Sequence, residues 1–399
     1  MILMSIKIIK KSLLCDSWLN RFKVFGPLNN KYKFCDKYQP DRIINASKFA
    51  RLSKKELQIA FFQYGFLRST ITTIGQFIKQ SPCSNALFWQ FPCKTEESAY
   101  NRHINKKYPL LQNDELHIYL GLPWATLIDH MNVEYKPNYD KSIIKKQIQI
   151  LKNYISGFCI VLKSLGIKLR IHTVCQHIYW KMMIPIWKEL NVTDIWISHC
   201  QNLIEPNFTI HPWALYAVNV QDKQRRIGIQ EGKDPTIKTI LASFIGANTN
   251  DIRSQLLALN SEPGFIIKIT DKWHFENVVR QQIEKSILTY NIDNTVEDYN
   301  KLLSDSVFSL CPVGTGSNTL RLWESLAVGS IPVLFSQAAL MPCGGNLPII
   351  DWDKIVIRIS DDQIKELPQL LRSISMDEIR IRQNLAMEAY KLVCDQCCF

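Results

Sequence analysis

The run SVFSLCPVGTGSNTLRLWESLAVGSIPVLFS, residues 306–336, constrains the fold more than any other stretch of the chain. VFSLCP and SIPVLFS are apolar runs of strand length. TLRLWESLAV between them has apolar residues at helical spacing, and Gly329 stands where that helix would end. This is a strand–loop–helix–strand unit. Its loop, VGTGSN, delivers a helix N-terminus to the carboxyl edge of a sheet, the edge at which open α/β sheets bind ligands.

The same alternation recurs along the chain. Residues 116–124, 167–175 and 192–200 read as strands. Residues 142–166 read as a helix, and 178–191 as a helix with a kink or early break at Pro185. Further on, 238–247 and 264–270 read as strands, 250–260, 277–288 and 295–303 as helices, 353–359 as a strand, and the tail from Asp361 as helix. A helical spacing also covers 54–65, within an N-terminal region that is otherwise hard to read. Strands alternating with helices predict an α/β fold with parallel sheets covered on both faces. At 399 residues two doubly wound domains are expected. The polar run NVQDKQRRIGIQEGKDP suggests a boundary near 215–235. The expected division is an N-terminal domain over 1–220, a C-terminal domain over 221–375, and a helical tail, 376–399, packing back on the first domain.

Lysine and arginine exceed aspartate and glutamate by 12, which favours anionic partners: phosphates, or an anionic membrane at a peripheral contact. A solvated basic surface would show the same surplus. No zinc finger, homeodomain or RNP-type motif accompanies it, so nucleic acid is not an expected partner. The 12 cysteines lack metal-binding spacing and suggest free thiols in a reducing, cytoplasmic setting. The apolar runs near the N-terminus are too short and too interrupted by lysines to read as a signal peptide or a membrane span.

In the loop, Gly314 and Gly316 would let backbone N–H groups approach an anion. Ser317, Asn318 and Thr319 could cap the following helix and offer further donors. Arg321 falls in the first helical turn, where a guanidinium suits a phosphate. Glu324 lies on the same helical face, and its carboxylate suits the hydroxyls of a ribose. An ordinary capped helix with an Arg–Glu pair fits the same spacing. No Lys-Ser/Thr follows the glycines, which excludes a Walker loop, and Thr319 fills the third position of a Gly-x-Gly-x-x-Gly match.

Residues 304–336, followed by LPIIDWDKIVIRISDDQIKELPQLLRSIS, resemble the donor-domain signature of exostosin-like (GT47-type) glycosyltransferases. The shared features are a strand ending in Cys-Pro, a glycine loop, Arg-x-x-Glu, Gly-x-Ile-Pro-Val and a downstream Asp-Trp. LASFIGANTNDIRSQLLAL, residues 241–259, resembles a second segment of that family. The likeness covers roughly residues 240–375 and fades over the first 160. It implies a GT-B architecture, two Rossmann-like domains facing across a cleft. It further implies a nucleotide-sugar donor, most simply a UDP-sugar, a glycan, polysaccharide or glycolipid acceptor, and inverting transfer without a metal or other cofactor. By the resemblance Arg321 stands near the diphosphate, Glu324 at the ribose, and Arg253 is a second phosphate contact. Val313 departs from the family pattern, since many members carry Arg after Cys-Pro. Asp351 and Asp353 in DWD follow the donor loop, which suggests a structural role rather than metal binding. Lys268 is a further cation able to meet leaving-group charge.

Inverting transfer needs a base for the acceptor hydroxyl, expected at the carboxyl end of an N-terminal strand. His177, opening a helix after Cys175, is the first candidate. His199, at the end of the next strand, is the second, and Asp129 with His130 the third. A hydrogen-bonded packing role fits any single histidine. Trp124, Trp180 and Trp213 are candidate stacking surfaces for an acceptor sugar, or core residues. Two other readings fit the same signature: a catalytically silent GT-B-like partner that binds a glycan or nucleotide sugar, and a nucleotide-sugar epimerase.

Overall fold

The structure is a computed structural model describing residues 93–104, 110–131, 141–272 and 294–399, with Ile59, Phe66, Thr70 and Thr73. The first sheet contains β1 (Leu110–Gln112), β2 (Glu115–Tyr119), β3 (Lys168–Cys175), β4 (Asp194–Ile197), β5 (Ile204–Glu205) and β6 (Phe208–Pro212), in spatial order β1-β2-β3-β4-β6-β5. Its four inner strands are parallel, and β1 and β5 are antiparallel edges. The second sheet contains β7 (Ile240–Ala247), β8 (Phe265–Thr270), β9 (Ser306–Cys311), β10 (Ile331–Leu334) and β11 (Ile357–Arg358), in order β11-β10-β9-β7-β8. All its pairings are parallel. The α/β class with two mainly parallel sheets is therefore as expected.

The helices are α1 (Thr95–Ile104), α2 (Trp124–Met131), α3 (Lys141–Ser164), α4 (Ile184–Glu189), α5 (Val218–Gln221), α6 (Asp251–Gln255), α7 (Asn294–Asp305), α8 (Leu320–Val328), α9 (Leu367–Ser373) and α10 (Met376–Cys394). The sequence places most of these well, but several elements are shorter. The apolar run from 116 leaves the sheet at Tyr119, and Trp124 already opens α2. Residues 178–191 divide into a 3-10 turn, Trp180–Met183, and α4, because Pro185 fits only the first turn of a helix. The segment after Asn250 is α6 and a 3-10 turn, Leu256–Ser261. Strands β5 and β6 have no counterpart in the sequence reading; NFTIHP is short and ends in proline. The helical patterns over 54–65, apart from Ile59, and over 277–288 lie outside the described residues.

Strand β9 is buried at every position. It lies between β10 and β7, and helices cover both faces, so no alternating pattern is expected of it. One core layer gathers Phe244, Leu256, Phe308, Val333 and Leu367. The other gathers Trp323, Leu326, Leu334 and Ala386. Helix α8 is buried from Arg321 to Val328. It ends at Gly329, whose φ of 73° lies in the left-handed region, and a Cβ there would come within 2.8 Å of Gln383 Cγ on α10. Beyond α10 the chain reaches the first sheet's side of the molecule. Arg102 Nη1 donates to the carbonyls of Val393 and Cys394, at 3.0 and 2.7 Å, and the Cys398 N–H donates to His103 Nε2 at 2.9 Å.

The nine cysteines among the described residues are free, and Cys175, Cys200, Cys311, Cys397 and Cys398 are buried. Among the described residues no helix is long and apolar enough to cross a membrane.

Candidate active site

The carboxyl ends of β3 and β4 meet the loop that follows β9. That loop, residues 312–319, is seated by its small residues. A Cβ at Gly316 would lie about 2.5 Å from His199 Cε1 and Ile178 Cγ2, and closer still to His199 Nδ1. Only glycine lets the backbone rest there. Asn318 then ties the loop down: its N–H donates to His199 Nδ1 at 3.2 Å, and its Nδ2 donates to the Ser198 carbonyl at 2.7 Å. Asn318 Oδ1 accepts from Thr319 N and Trp323 Nε1, both at 2.9 Å. Thr319 is the N-cap of α8, but its own side chain makes no capping bond. Two further bonds extend the seam: Ala339 N to Ser317 O and Leu340 N to Cys200 O, each 2.7 Å.

Two arginines sit beneath the loop. Arg253 is held by carbonyl oxygens: Nε to Val313 at 2.9 Å, Nη1 to Ala247 at 2.7 Å and Nη2 to Pro312 at 3.3 Å. A Cβ at Gly314 would come within 2.8 Å of Arg253 Nη2. Arg321 is buried in the first turn of α8, and its Nη2 donates to Ser243 O and Oγ at 3.0 and 2.8 Å. Its Nε and Nη1 are buried and find no hydrogen-bond acceptor among the described residues. The ring of Phe244 lies 5.3 Å from the Arg253 guanidinium and 5.9 Å from that of Arg321. Neither arginine has a carboxylate at ion-pair distance among the described residues. Burial, together with the neighbouring Arg321 charge, lowers the Arg253 guanidinium to about 10. The floor of the loop is thus strongly electropositive.

Glu324 faces away from the loop. Its Oε1 accepts from Asn219 N at 3.0 Å, its Oε2 from Tyr299 Oη at 2.7 Å, and the residue is 1% exposed. Its carboxylate therefore joins α8 to α5 and α7, and both oxygens already have protein donors. The spacing that puts Arg321 and Glu324 on one helical face says nothing of what lies opposite, and here it is protein on every side. Lys268 is exposed on β8, the edge strand of its sheet. Asp351 pairs with Lys354 at 3.1 Å and Asp353 with Arg358 at 3.0 Å, both at the surface. Among the described residues no group of three His, Cys, Asp or Glu side chains could hold a metal ion.

The three candidate bases come together next to the loop. His177 Nδ1 accepts from the Tyr179 N–H at 3.0 Å, so the ring proton resides on Nε2, which faces Asp129 Oδ1 at 3.0 Å. Both ring nitrogens of His177 are thereby engaged. Asp129 is the more open partner, with side-chain exposures of 28% against 9%. The His130 side chain lies outside the described residues. His199 spends Nδ1 on the Asn318 N–H, and burial, with the neighbouring His177, lowers its pKa to about 4. It is a neutral ring that receives the loop.

Trp124, Trp180 and Trp213 are buried, so all three are core residues. Trp124 Nε1 donates to Thr173 Oγ1 at 2.6 Å, and its ring meets Trp187 edge-on. Among the described residues the aromatic that faces outward is Tyr179, 52% exposed, with its ring 5.5 Å from that of His177. Sequence reasoning also passed over Glu96, a buried carboxyl in the first turn of α1. Its acidic position at a helix start is visible in TEES, but its partners, the Ala125 and Gln176 N–H groups and the Cys175 thiol, lie far along the chain.

Two Rossmann-like sheets with a glycine loop between their carboxyl ends define the GT-B class of α/β protein. Residues 176–374, about half of the chain, match the Exostosin GT47 domain, and this stretch belongs to the exostosin GT47 family. Its relatives include a "Probable glucuronosyltransferase" of Oryza sativa subsp. japonica, 33% identical over 22% of this chain and 20% of that protein. A "Probable glycosyltransferase" of Arabidopsis thaliana is 28% identical over 36% of this chain and 26% of its own length. Exostosin-1 of Drosophila melanogaster is 35% identical over 21% of this chain and 10% of its own. The aligned segments thus span between a tenth and about a quarter of these relatives. Among solved structures, pneumococcal O-GlcNAc transferase GtfA in complex with UDP and GlcNAc is similar at a TM-score of 0.30 and 10% identity, covering 60% of this chain and 53% of that one.

Proposed function

We propose that the protein is a glycosyltransferase that moves a sugar from a nucleotide-sugar donor, a UDP-sugar, to a hydroxyl of a glycan or glycolipid, with inversion and without a metal. The observation that carries this reading is the seating of the glycine loop on His199, above two arginines and beside the His177–Asp129 pair. Loss of the nucleotide builds negative charge on the diphosphate. Backbone N–H groups of residues 315–317, the N-terminus of α8 and the field of Arg253 and Arg321 would oppose that charge. This arrangement supports transfer without a divalent ion. Attack on the opposite face of the sugar needs a group to take the acceptor's proton. Asp129 suits that role better than His177, because it is the more open of the two and His177 has both nitrogens engaged. The Nε2–H of His177 would hold the carboxylate in place. The exposed ring of Tyr179, beside this pair, would meet the apolar face of an acceptor sugar.

Calorimetric titration with UDP, GDP and CMP, with and without EDTA, tests the donor site. Selective, EDTA-indifferent binding of UDP is expected. Transfer from a panel of UDP-sugars, with the product anomer read by NMR, tests the chemistry. Asp129→Asn should lower turnover by a factor on the order of 10²–10⁴ with UDP affinity unchanged. A protein that binds none of the three nucleotides, or an Asp129→Asn variant that turns over normally, would defeat the reading. Intact donor binding with no transfer to any acceptor would leave the catalytically silent partner in its place.

A further inference from the structure

Glu96 is 1% exposed, carries a carboxyl group, and has no part in the chemistry described above. Its Oε1 accepts the Gln176 N–H at 3.0 Å and the Ala125 N–H at 3.2 Å, and its Oε2 shares the Ala125 N–H, also at 3.2 Å. These two donors belong to the two segments that carry the proposed base. Gln176 immediately precedes His177. Ala125 lies in the first turn of α2, four residues and about one helical turn before Asp129. The clasp is reciprocal: Gln176 Oε1 accepts from Thr95 N at 2.7 Å and Glu96 N at 3.2 Å, so each side chain satisfies backbone groups at the other's position. Thr95 Oγ1 in turn accepts from Tyr216 N at 2.9 Å, which ties the clasp to the segment leaving the first sheet.

We propose that Glu96 is the positioning residue of the active site: by gripping Gln176 and Ala125 at once, it fixes the distance between His177 Nε2 and Asp129 Oδ1 without touching substrate. The inference rests on the reading of Asp129 and His177 as the proton-accepting pair. Physical reasons favour a carboxyl of this length. One oxygen, Oε1, already receives both backbone donors, so the group bridges the two segments at their active-site ends, beside the Trp124 Nε1 to Thr173 Oγ1 bond that also joins them. Aspartate is one methylene, about 1.5 Å, too short to span both. Glutamine keeps the length and the acceptor at Oε1. Burial, with a smaller contribution from the Asp129 charge, pushes the Glu96 carboxyl up to about 8, against the lowering effect of the Gln176 and Ala125 N–H groups and the Cys175 thiol. At neutral pH glutamine therefore matches it in charge as well.

The experiment compares Glu96→Asp, Glu96→Gln, Glu96→Ala and Asp129→Asn in the full chain. UDP affinity is read by calorimetry, kcat and donor KM from UDP release, and the His177 ring from the 15N spectrum of histidine-labelled protein. Glu96→Asp should lose about 100-fold in kcat, the scale of a misplacement of roughly 1 Å, with donor KM and UDP affinity within about twofold of the parent. The Nε2–H signal of His177 should broaden or shift as its bond to Asp129 loosens. Glu96→Gln should restore both to near the parent values. Glu96→Ala should behave like Glu96→Asp, and if it does not fold, the aspartate variant carries the test. A Glu96→Asp protein with parental kcat and an unchanged His177 signal would overturn the proposal. So would one that loses kcat and UDP affinity in equal measure, as a general loosening of the fold would produce. If Asp129→Asn turns over normally, the base assignment fails instead, and the His177 spectrum still decides whether Glu96 sets that pair.

Discussion

Glu324→Ala distinguishes a ligand-binding carboxylate from one that holds the protein together. In the structure the carboxylate receives the Asn219 N–H and the Tyr299 hydroxyl. Alanine strands both donors and leaves a small hollow beside α8. An unsatisfied buried donor costs about 1–3 kcal/mol, so the two together cost roughly 2–6 kcal/mol. At about 2–4 °C per kcal/mol for a large domain, the melting temperature should fall by roughly 10 °C. Tyr299→Phe alone removes one of these bonds, worth about 0.5–1.5 kcal/mol. In the Glu324→Ala background the same change should be close to neutral, because the hydroxyl it removes is already stranded. The assay is thermal melting and urea unfolding of the four proteins in this cycle, with UDP titration of each that folds. A Glu324→Ala protein that melts within about 2 °C of the parent, yet no longer binds UDP, would refute the reasoning and make Glu324 an open ribose ligand.

Other substitutions and pH test the remaining geometry. Gly316→Ala forces the loop about 1 Å from His199 to restore ordinary contact distances; it should cost about 1–3 kcal/mol and weaken UDP binding, and a variant with parental melting and UDP affinity would contradict the seating described. Glu96 retains its proton up to about pH 8 in the folded state. The unfolded chain releases that proton in the ordinary carboxylate range, so this group's contribution to stability falls as pH rises from that range to about 8. Glu96→Gln should remove that slope, and parallel stability–pH curves from urea unfolding would count against it. Tyr179→Ala should raise the acceptor KM several-fold while leaving UDP affinity intact, because the bond to His177 uses the Tyr179 backbone; an unchanged acceptor KM excludes the ring from the acceptor site.

Much of the fold was legible because alternating strand and helix patterns are local. The run over 306–336 gave a strand, a helix and a strand with bounds close to those observed, and Gly329 marked the helix end. Where the sequence was less informative, the cause was also local. The 3-10 turns at Trp180–Met183 and Leu256–Ser261 carry the same apolar spacing as a helix, and β6 is five residues ending in proline. The candidate site was legible as a set of residue types: a glycine loop, an Arg-x-x-Glu on a helix, and two histidines and an aspartate at strand or helix ends.

Which of those residues meet was decided by tertiary structure. His177 and Asp129 are 48 positions apart in sequence, and Asn318 and His199 are 119 apart. Their contacts exist only because parallel strands bring their carboxyl ends to one edge. The direction a side chain faces is equally non-local. Helical spacing put Arg321 and Glu324 on one face, but packing against Ser243, Asn219 and Tyr299 turned that face inward. Three tryptophans that could have stacked on a sugar were taken into the core, and Tyr179 was left outside. The sequence by itself determined the class of fold, the family signature and the chemical groups on hand. The packing of two sheets against one loop decided which groups face the cleft and which hold it in shape, because burial and hydrogen-bond partners depend on what lies across the interface.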